Sequence, residues 1–227
     1  MFNFVESFFE KIGLNDSFYS VKINGEKTKK EAKTLLPLGI EVFKCDVSSY
    51  ASLEEVFNYV ILKYKKIDVL INNAGICLKQ KFICDVSSSE FDSVIKVNLK
   101  GVFNGVKLGV KNMLFSGGKI INVSSVFAVK GGSCEAVYSA SKAGVLALSR
   151  AVSEEVIGSK LEISTLLLGL IDTDMNSHLS NEEKLDFARN CGLKKIGNSK
   201  MVASKILNIL NKENTNGKVF KFLVGNS

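Results

Sequence analysis

Six short apolar runs separated by segments of helical period constrain this chain more than any other feature. They read "FYSVKI" (18–23), "IEVFK" (40–44), "IDVLI" (67–71), "KIINV" (119–123), "LEISTLLL" (161–168) and "VFKFLV" (219–224). Between them apolar residues recur every three or four positions, through Phe91, Val94, Val102, Val106, Val110 and Met113 and again through Leu146, Ala147, Val152 and Val156. That period marks amphipathic helices. Ser52 with Glu55 forms the pattern of a capping box opening a helix over 52–64. Strands apolar on both faces and joined by helices make a parallel sheet covered on each side, so the expected fold is α/β and doubly wound. No repeat, low-complexity tract or linker interrupts residues 1–227, which read as one domain.

Composition narrows the class. At 227 residues the chain can bury one sizeable core, and 46% hydrophobic with 23% charged residues is the balance of a soluble protein. No apolar run reaches the ~18 residues of a membrane span. The opening "MFNFVESFFEK" lacks the basic start and cleavage site of a signal peptide. Cys45, Cys77, Cys84, Cys134 and Cys191 are scattered, odd in number and without CxxC spacing. They read as reduced thiols of a cytoplasmic protein with no metal site. The solitary His178 has no Cys/His cluster around it and reads as a loop residue. A net charge of +7 would suit an acidic partner, but the lysines run along the whole chain and read as a solvated surface. No nucleic-acid or membrane partner is expected.

Chemistry enters at three places. "VLINNAG" (69–75) reads as a buried strand running into a turn, a feature of nucleotide-binding α/β sheets. Tyr138 and Lys142 in "VYSASKAG" stand four apart at a helix start, so their side chains share one face. A phenol with a pKa near ~10 is a poor base at neutral pH. A neighbouring ammonium favours the phenolate, and a drop of ~3 units represents about 4 kcal/mol. Such a phenol serves as a proton donor or acceptor. The run "KIINV" leads into Ser124 and Ser125, at the strand edge where ligands bind in such sheets, thirteen residues before Tyr138. Each signal alone has a plain alternative, since any helix can carry Tyr and Lys four apart and strand-end serines often cap turns.

Taken together, "NNAG" (72–75), Asn98 in "VNLKG", "INVSS" (121–125) and "YSASK" (138–142) resemble, in order and spacing, the short-chain dehydrogenase/reductase family. The resemblance runs from about residue 14 to the end, where "NGKVFKFLVG" is similar to the family's final strand. It implies a Rossmann-type sheet and an NAD(P)(H)-dependent oxidoreductase. In that reading Tyr138 is the general acid/base, Lys142 tunes it and holds the nicotinamide ribose, Ser125 bonds the substrate oxygen, and Asn98 positions a water in the proton relay. Asn72, Ala74 and Gly75 line the cofactor, although "NAG" also makes a tight strand-to-helix turn. Asp46 and Val47 match the adenine contact, although Asp before "SS" is also a turn former. Ile171 and Thr173 in "LGLIDTDM" match the approach to carboxamide and phosphates, with Leu168 where the family usually has proline.

One departure is large. Family members open with a strand and a TGxxxGxG loop, whose backbone approaches pyrophosphate at a helix N-terminus. Here "VESFFEKIG" (5–13) already resembles the following helix, so the resemblance implies that the first, central strand and its loop are missing. The expectations are a mis-called start or truncation of an ordinary reductase, a degenerate protein without catalysis, or a rebuilding of those elements by residues 1–9, which hold no glycine. Within the family, "GGSCEAVYSASKAG" and "IDTDMNSHLSNEEK" look most like the 3-oxoacyl-acyl-carrier-protein reductase group. The expected substrate is thus a small-molecule or carrier-bound carbonyl such as a 3-oxoacyl thioester. The "SCE" leans toward relatives proposed to act on a modified lysine of an elongation factor. NADP(H) is expected over NAD(H), because Asn24 and Gly25 stand where NAD-specific relatives carry a carboxylate and Lys27, Lys29 and Lys30 follow; Glu26 argues the other way. Small residues on two helices (Gly101, Gly105, Gly109; Ala143, Ala147, Ala151) match the family's subunit contacts and imply a homodimer or homotetramer.

Overall fold

Strand amides must be paired, and three sheets pair them in the computed structural model, which describes residues 19–22, 41–176, 179–190 and 195–224. In chain order the elements are β1 (Tyr19–Lys22), β2 (Glu41–Lys44), α1 (Tyr50–Tyr64), β3 (Val69–Asn72), α2 (Ser88–Ile95), α3 (Gly101–Met113) and β4 (Gly118–Ser125). There follow α4 (Phe127–Lys130), α5 (Ala136–Glu155), β5 (Leu161–Leu168), β6 (Ile171–Asp172), α6 (Asn181–Asn190), β7 (Gly197–Asn198), α7 (Ser199–Leu210) and β8 (Val219–Phe222). The expected α/β class with a parallel, helix-linked sheet is the one observed.

The chain divides into two compact units. The larger spans Asp46–Leu168 and Asn214–Lys221. It holds most of a sheet ordered β3-β4-β5-β8, in which β3 and β4 pair parallel from Val69↔Lys119, and β4 and β5 from Gly118↔Leu161. Its core joins Val102, Val106 and Met113 of α3, Ile120 of β4, Val145 of α5, and Leu161 and Ile163 of β5. Burying each such side chain contributes about 1.5–3 kcal/mol. In the smaller unit β1 pairs with β2 from Tyr19↔Glu41, and β6 with β7 from Ile171↔Gly197. A small cluster there packs Leu170 and Ala188 with Phe187, Ile196 and Leu223. Residues 1–18, on which the missing-strand expectation rests, lie outside the described residues, as do the 24–30 turn, His178 and Cys191.

Four expectations change. The capping box at Ser52 and Glu55 does not form. Asp46 folds into a tight turn, accepting from the Ser48 amide at 2.9 Å and hydroxyl at 2.7 Å, and the helix starts earlier, with Ser49 accepting from the Ser52 amide. Ser52 instead accepts from the Asp46 amide at 3.3 Å. A capping box does form at Ser87 and Glu90, opening α2. The expected helix over 91–114 is interrupted by a π turn at Lys96–Lys100, where the Gly101 amide reaches back to the Lys96 carbonyl rather than that of Val97. Residues 181–190, for which the sequence announces no helix, form α6. Finally, the glycines of α3 serve packing within the unit. A Cβ at Gly101 would meet Val47 Cγ2 at 2.7 Å, one at Gly109 would meet Ile120 Cδ1 at 2.7 Å, and one at Gly105 would collide with Asn72 Oδ1.

Candidate active site

One buried strand end and one helix start bring the expected reacting groups together. β4 runs on two residues past the expected "KIINV", so Ser124 and Ser125 are its last, buried residues. Ser124 ties the strand to α5 by donating to the Lys142 carbonyl at 2.8 Å. Tyr138 stands in the first turn of α5, its hydroxyl hydrogen-bonded to Ser125. Ser125 Oγ also accepts from the Phe127 amide at 3.2 Å, and the Phe127 ring meets Tyr138 edge-on, 6.5 Å between centroids. A phenol and a hydroxyl placed so can share one carbonyl oxygen between them.

Lys142, only 4% exposed, donates from Nζ to the Val123 carbonyl at 3.0 Å and lies 5.8 Å from the Tyr138 ring centre. It therefore addresses the ring, and the expected lowering of the tyrosine pKa by Lys142 is not what governs this arrangement. Burial, the largest influence, pushes the Tyr138 phenol above its ordinary value, with the neighbouring Cys77 and Glu135 groups acting in the same direction and the Ser125 bond opposing. Burial likewise pushes Lys142 down to about 8. A desolvated site favours neutral forms of both groups. At neutral pH the phenol is thus held as a proton donor, the form a carbonyl reduction consumes.

Lys142 also supplies the test of cofactor fit. An ammonium carries three donors. One is used by Val123, and a Cβ at Gly75 would lie 3.5 Å from Nζ, so the remaining donors sit beside the turn after β3. A buried cation with spare donors next to a side-chain-free backbone suits the hydroxyls of a nicotinamide ribose.

The remaining expected residues divide sharply. Asn98, fully buried in the π turn, accepts from the Ile76 amide at 2.8 Å and donates to the Ile76 carbonyl at 2.9 Å and to Ser141 at 3.1 Å. Its side chain clamps the turn that carries Ala74 and Gly75. Asn72 donates to Asn122 at 2.8 Å, and Asn122 passes the chain to Ser149 at 2.8 Å. Asn72 is thus occupied between β3, β4, α3 and α5. Asp46 makes the turn described above, and Val47 is buried, its carbonyl accepting from Asn104 at 2.9 Å. Ile171 and Thr173 belong to the smaller unit, where Ile171 is buried against Gly197 and its carbonyl accepts from Asn176 at 2.8 Å.

Ser141, Asn122 and Ser149 were missed as supports. The signal for Asn122 was present, since an asparagine inside an apolar strand must find a partner. Glu135 was quoted only as part of "SCE". Its carboxyl is raised to about 7, by burial first, with a bond from Gln80 opposing.

Comparisons with known proteins identify the family. The family model described as short chain dehydrogenase matches residues 15–184. The 3-oxoacyl-[acyl-carrier-protein] reductase of Thermotoga maritima is 33% identical over 195 residues, covering 86% of this chain and 78% of that protein. The Chlamydia trachomatis protein of the same description is 30% identical over 189 residues, covering 82% and 76%. The crystal structure of levodione reductase superimposes with a TM-score of 0.86 at 24% identity, covering 96% of this chain and 91% of that one. The family model and these relatives support an oxidoreductase that depends on NAD(P). The chain belongs to the short-chain dehydrogenase family.

Proposed function

We propose that this protein reduces a ketone to an alcohol, acting on a 3-oxoacyl thioester held by a carrier protein and drawing on NADPH. The observation that carries the reading is the Tyr138–Ser125 pair at the end of β4, with Lys142 behind the ring. Ser125 and Tyr138 bind the carbonyl oxygen and polarise it. The carbonyl carbon so polarised would accept the hydride that a nicotinamide, when bound, supplies. As charge grows on the oxygen, the Tyr138 O–H bond breaks and its proton completes the alcohol. Lys142, with donors to spare, would hold the ribose and then favour the phenolate left behind. Asn98 keeps the Ala74–Gly75 turn in place by bonding both backbone groups of Ile76, and Ala74, Gly75, Ile171 and Thr173 are the proposed cofactor neighbours.

The substrate class and the choice of NADP(H) follow the named relatives and the lysines after "NG". We further read residues 1–227 as one catalytic domain that works in the cytoplasm as a homodimer or homotetramer. Ala147 and Ala151 on α5, together with the half-exposed Phe103 on α3, are the surfaces that support assembly. Among the described residues no helix is long and apolar enough to cross a membrane. The test is NADPH oxidation with an acetoacetyl thioester, compared between the protein and its Tyr138→Phe variant. Activity that depends on Tyr138 supports the reading, and equal activity in both removes it.

A further inference from the structure

Tyr138 and Ser125 can share a carbonyl oxygen only while both hydroxyls keep one geometry, and a tyrosine has two side-chain rotations by which to lose it. Rotation about Cα–Cβ swings the phenol oxygen away. Rotation about Cβ–Cγ leaves the oxygen in place but turns the ring, and with it the O–H bond, which conjugation holds in the ring plane. The α5 backbone fixes neither rotation. Lys142 is tied to the Val123 carbonyl and lies 5.8 Å from the ring centre. The closer restraint comes from α4.

Phe127, the first residue of α4, touches both members of the pair with different parts of itself. Its ring meets that of Tyr138 at 6.5 Å between centroids with the planes at 89°, the edge-to-face arrangement that aromatic rings favour. Its amide donates to Ser125 Oγ at 3.2 Å. That bond takes one of the two acceptor directions of the hydroxyl and so narrows where the Ser125 hydrogen points. The Phe127 ring also has a backing. A Cβ on Gly132 would lie 3.1 Å from both Cδ2 and Cε2, so the turn after α4 closes on the ring more tightly than a side chain there would allow without displacing it. The Gly131 amide donates to the Phe127 carbonyl at 3.1 Å, and the Gly132 amide ties the turn to α5 by donating to Ser139 Oγ at 3.1 Å. Gly132 lies equally close to Glu135, the N-cap residue of α5, whose side chain makes no capping bond there. Phe127 is thus held between the Gly132 backbone and the Tyr138 ring. Packing alone would ask only for apolar bulk, which a leucine also supplies; the right-angled contact needs a flat ring.

We propose that Phe127 is a positioning residue for carbonyl reduction: its ring sets the plane in which the Tyr138 proton points, and its amide sets the Ser125 hydroxyl, so that both converge on one substrate oxygen. The inference rests on the reading that Tyr138 protonates a carbonyl there.

The experiment compares the parent with Phe127→Leu and Phe127→Tyr in NADPH oxidation with an acetoacetyl thioester. Phe127→Leu keeps the apolar bulk and the amide but loses the ring. Its kcat should fall ~10-fold or more, since a displacement of about 1 Å at reacting groups can cost ~10²-fold. KM for thioester and NADPH should stay within ~3-fold, the mark of an interaction that counts only in the transition state. Phe127→Tyr restores the ring and should keep kcat within ~3-fold of the parent. Full kcat in Phe127→Leu overturns the proposal. A loss as large in Phe127→Tyr, or one matched by a rise in KM or by a clear drop in melting temperature, assigns the ring to packing and overturns it too. Should the parent itself fail to turn over the thioester, carbonyl reduction is what fails, and the phenol is read without it. In ring-labelled tyrosine NMR spectra, Tyr138 is the ring whose signal is missing from Tyr138→Phe. Relaxation of that signal should report a rigid ring in the parent and a mobile one in Phe127→Leu; a Tyr138 ring equally rigid in both overturns the proposal whatever the activity.

Discussion

Two regions carry the residues that resemble the family, and they treat their polar groups in opposite ways. Around the turn after β3 the asparagines are spent on the protein itself. Asn98 bonds both backbone groups of Ile76, Asn72 is passed to Asn122, and Asn104 holds the Val47 carbonyl. At the start of α5 Lys142 is as enclosed, Tyr138 and Glu135 are half-buried, and each has capacity to spare: Lys142 uses one donor, Tyr138 bonds Ser125, and Glu135 bonds Gln80. A motif recognised as one pattern is thus part scaffold and part chemistry. Satisfied buried groups rigidify, whereas under-partnered ones keep perturbed pKa values and await a ligand.

The contrast breaks most directly at Tyr138. Tyr138→Phe keeps the ring against Phe127 and removes only the proton, so turnover should fall by ~10²–10⁴ while the melting temperature stays within a few degrees. Lys142→Met should weaken turnover and NADPH binding together, which steady-state kinetics and a cofactor titration read separately. Loss of folding with retained specific activity in either variant would move the helix start into the scaffold class.

Asn98→Ala should do the reverse. It strips the partners from two Ile76 backbone groups and from Ser141, and should cost about 2–4 kcal/mol of stability. Denaturant unfolding measures it. A variant as stable as the parent but inactive would mean that Asn98 belongs with the reacting groups.

Gly105→Ala sharpens the same side of the comparison. The added methyl would collide with Asn72 Oδ1, so the Asn72–Asn122 bond must give way. Overpacking of this kind costs about 1–3 kcal/mol. Because the glycine packs inside the unit, the loss should appear at every protein concentration; a loss confined to dilute samples, followed by sedimentation, would return the glycines of α3 to a subunit contact.

The sequence showed the scaffold's strands and the identities of the reacting groups better than the work its polar residues do. "LEISTLLL" is β5 residue for residue, because a run apolar on both faces has few other places to go. The π turn at Lys96–Lys100 was not legible, since "KVNLKG" keeps ordinary helical period and the extra residue is set by the Asn98–Ile76 clamp. Likewise Ser48, Ser49 and Ser52 all offer hydroxyls, and only the Asp46 turn decides which one caps α1. The polar α6 escaped because "NEEKLDFARN" has too few apolar residues to show a period. Glu135 looked like an ordinary acid before a helix until its missing cap and its neighbours were seen together.

The smallest expected effect concerns pH. Glu135 folds with its carboxyl near about 7 against an ordinary 4.5, so between those values the folded protein holds a proton that the unfolded chain has lost. Stability then falls as pH rises, since it rises only where the unfolded state binds more protons. The contribution is fully present below about pH 4.5 and is lost by the time the pH has passed about 7. The full shift would represent several kcal/mol, but partial exposure of the carboxyl screens it, and about 1 kcal/mol is the reasonable scale. Glu135→Gln removes the titration, so the difference in unfolding free energy between parent and variant should narrow or reverse in the parent's favour as the pH drops from about 8 to 5. A pH-independent difference would mean that Glu135 is as comfortable as the asparagines, and the division between the two regions would no longer run between Asn98 and the start of α5.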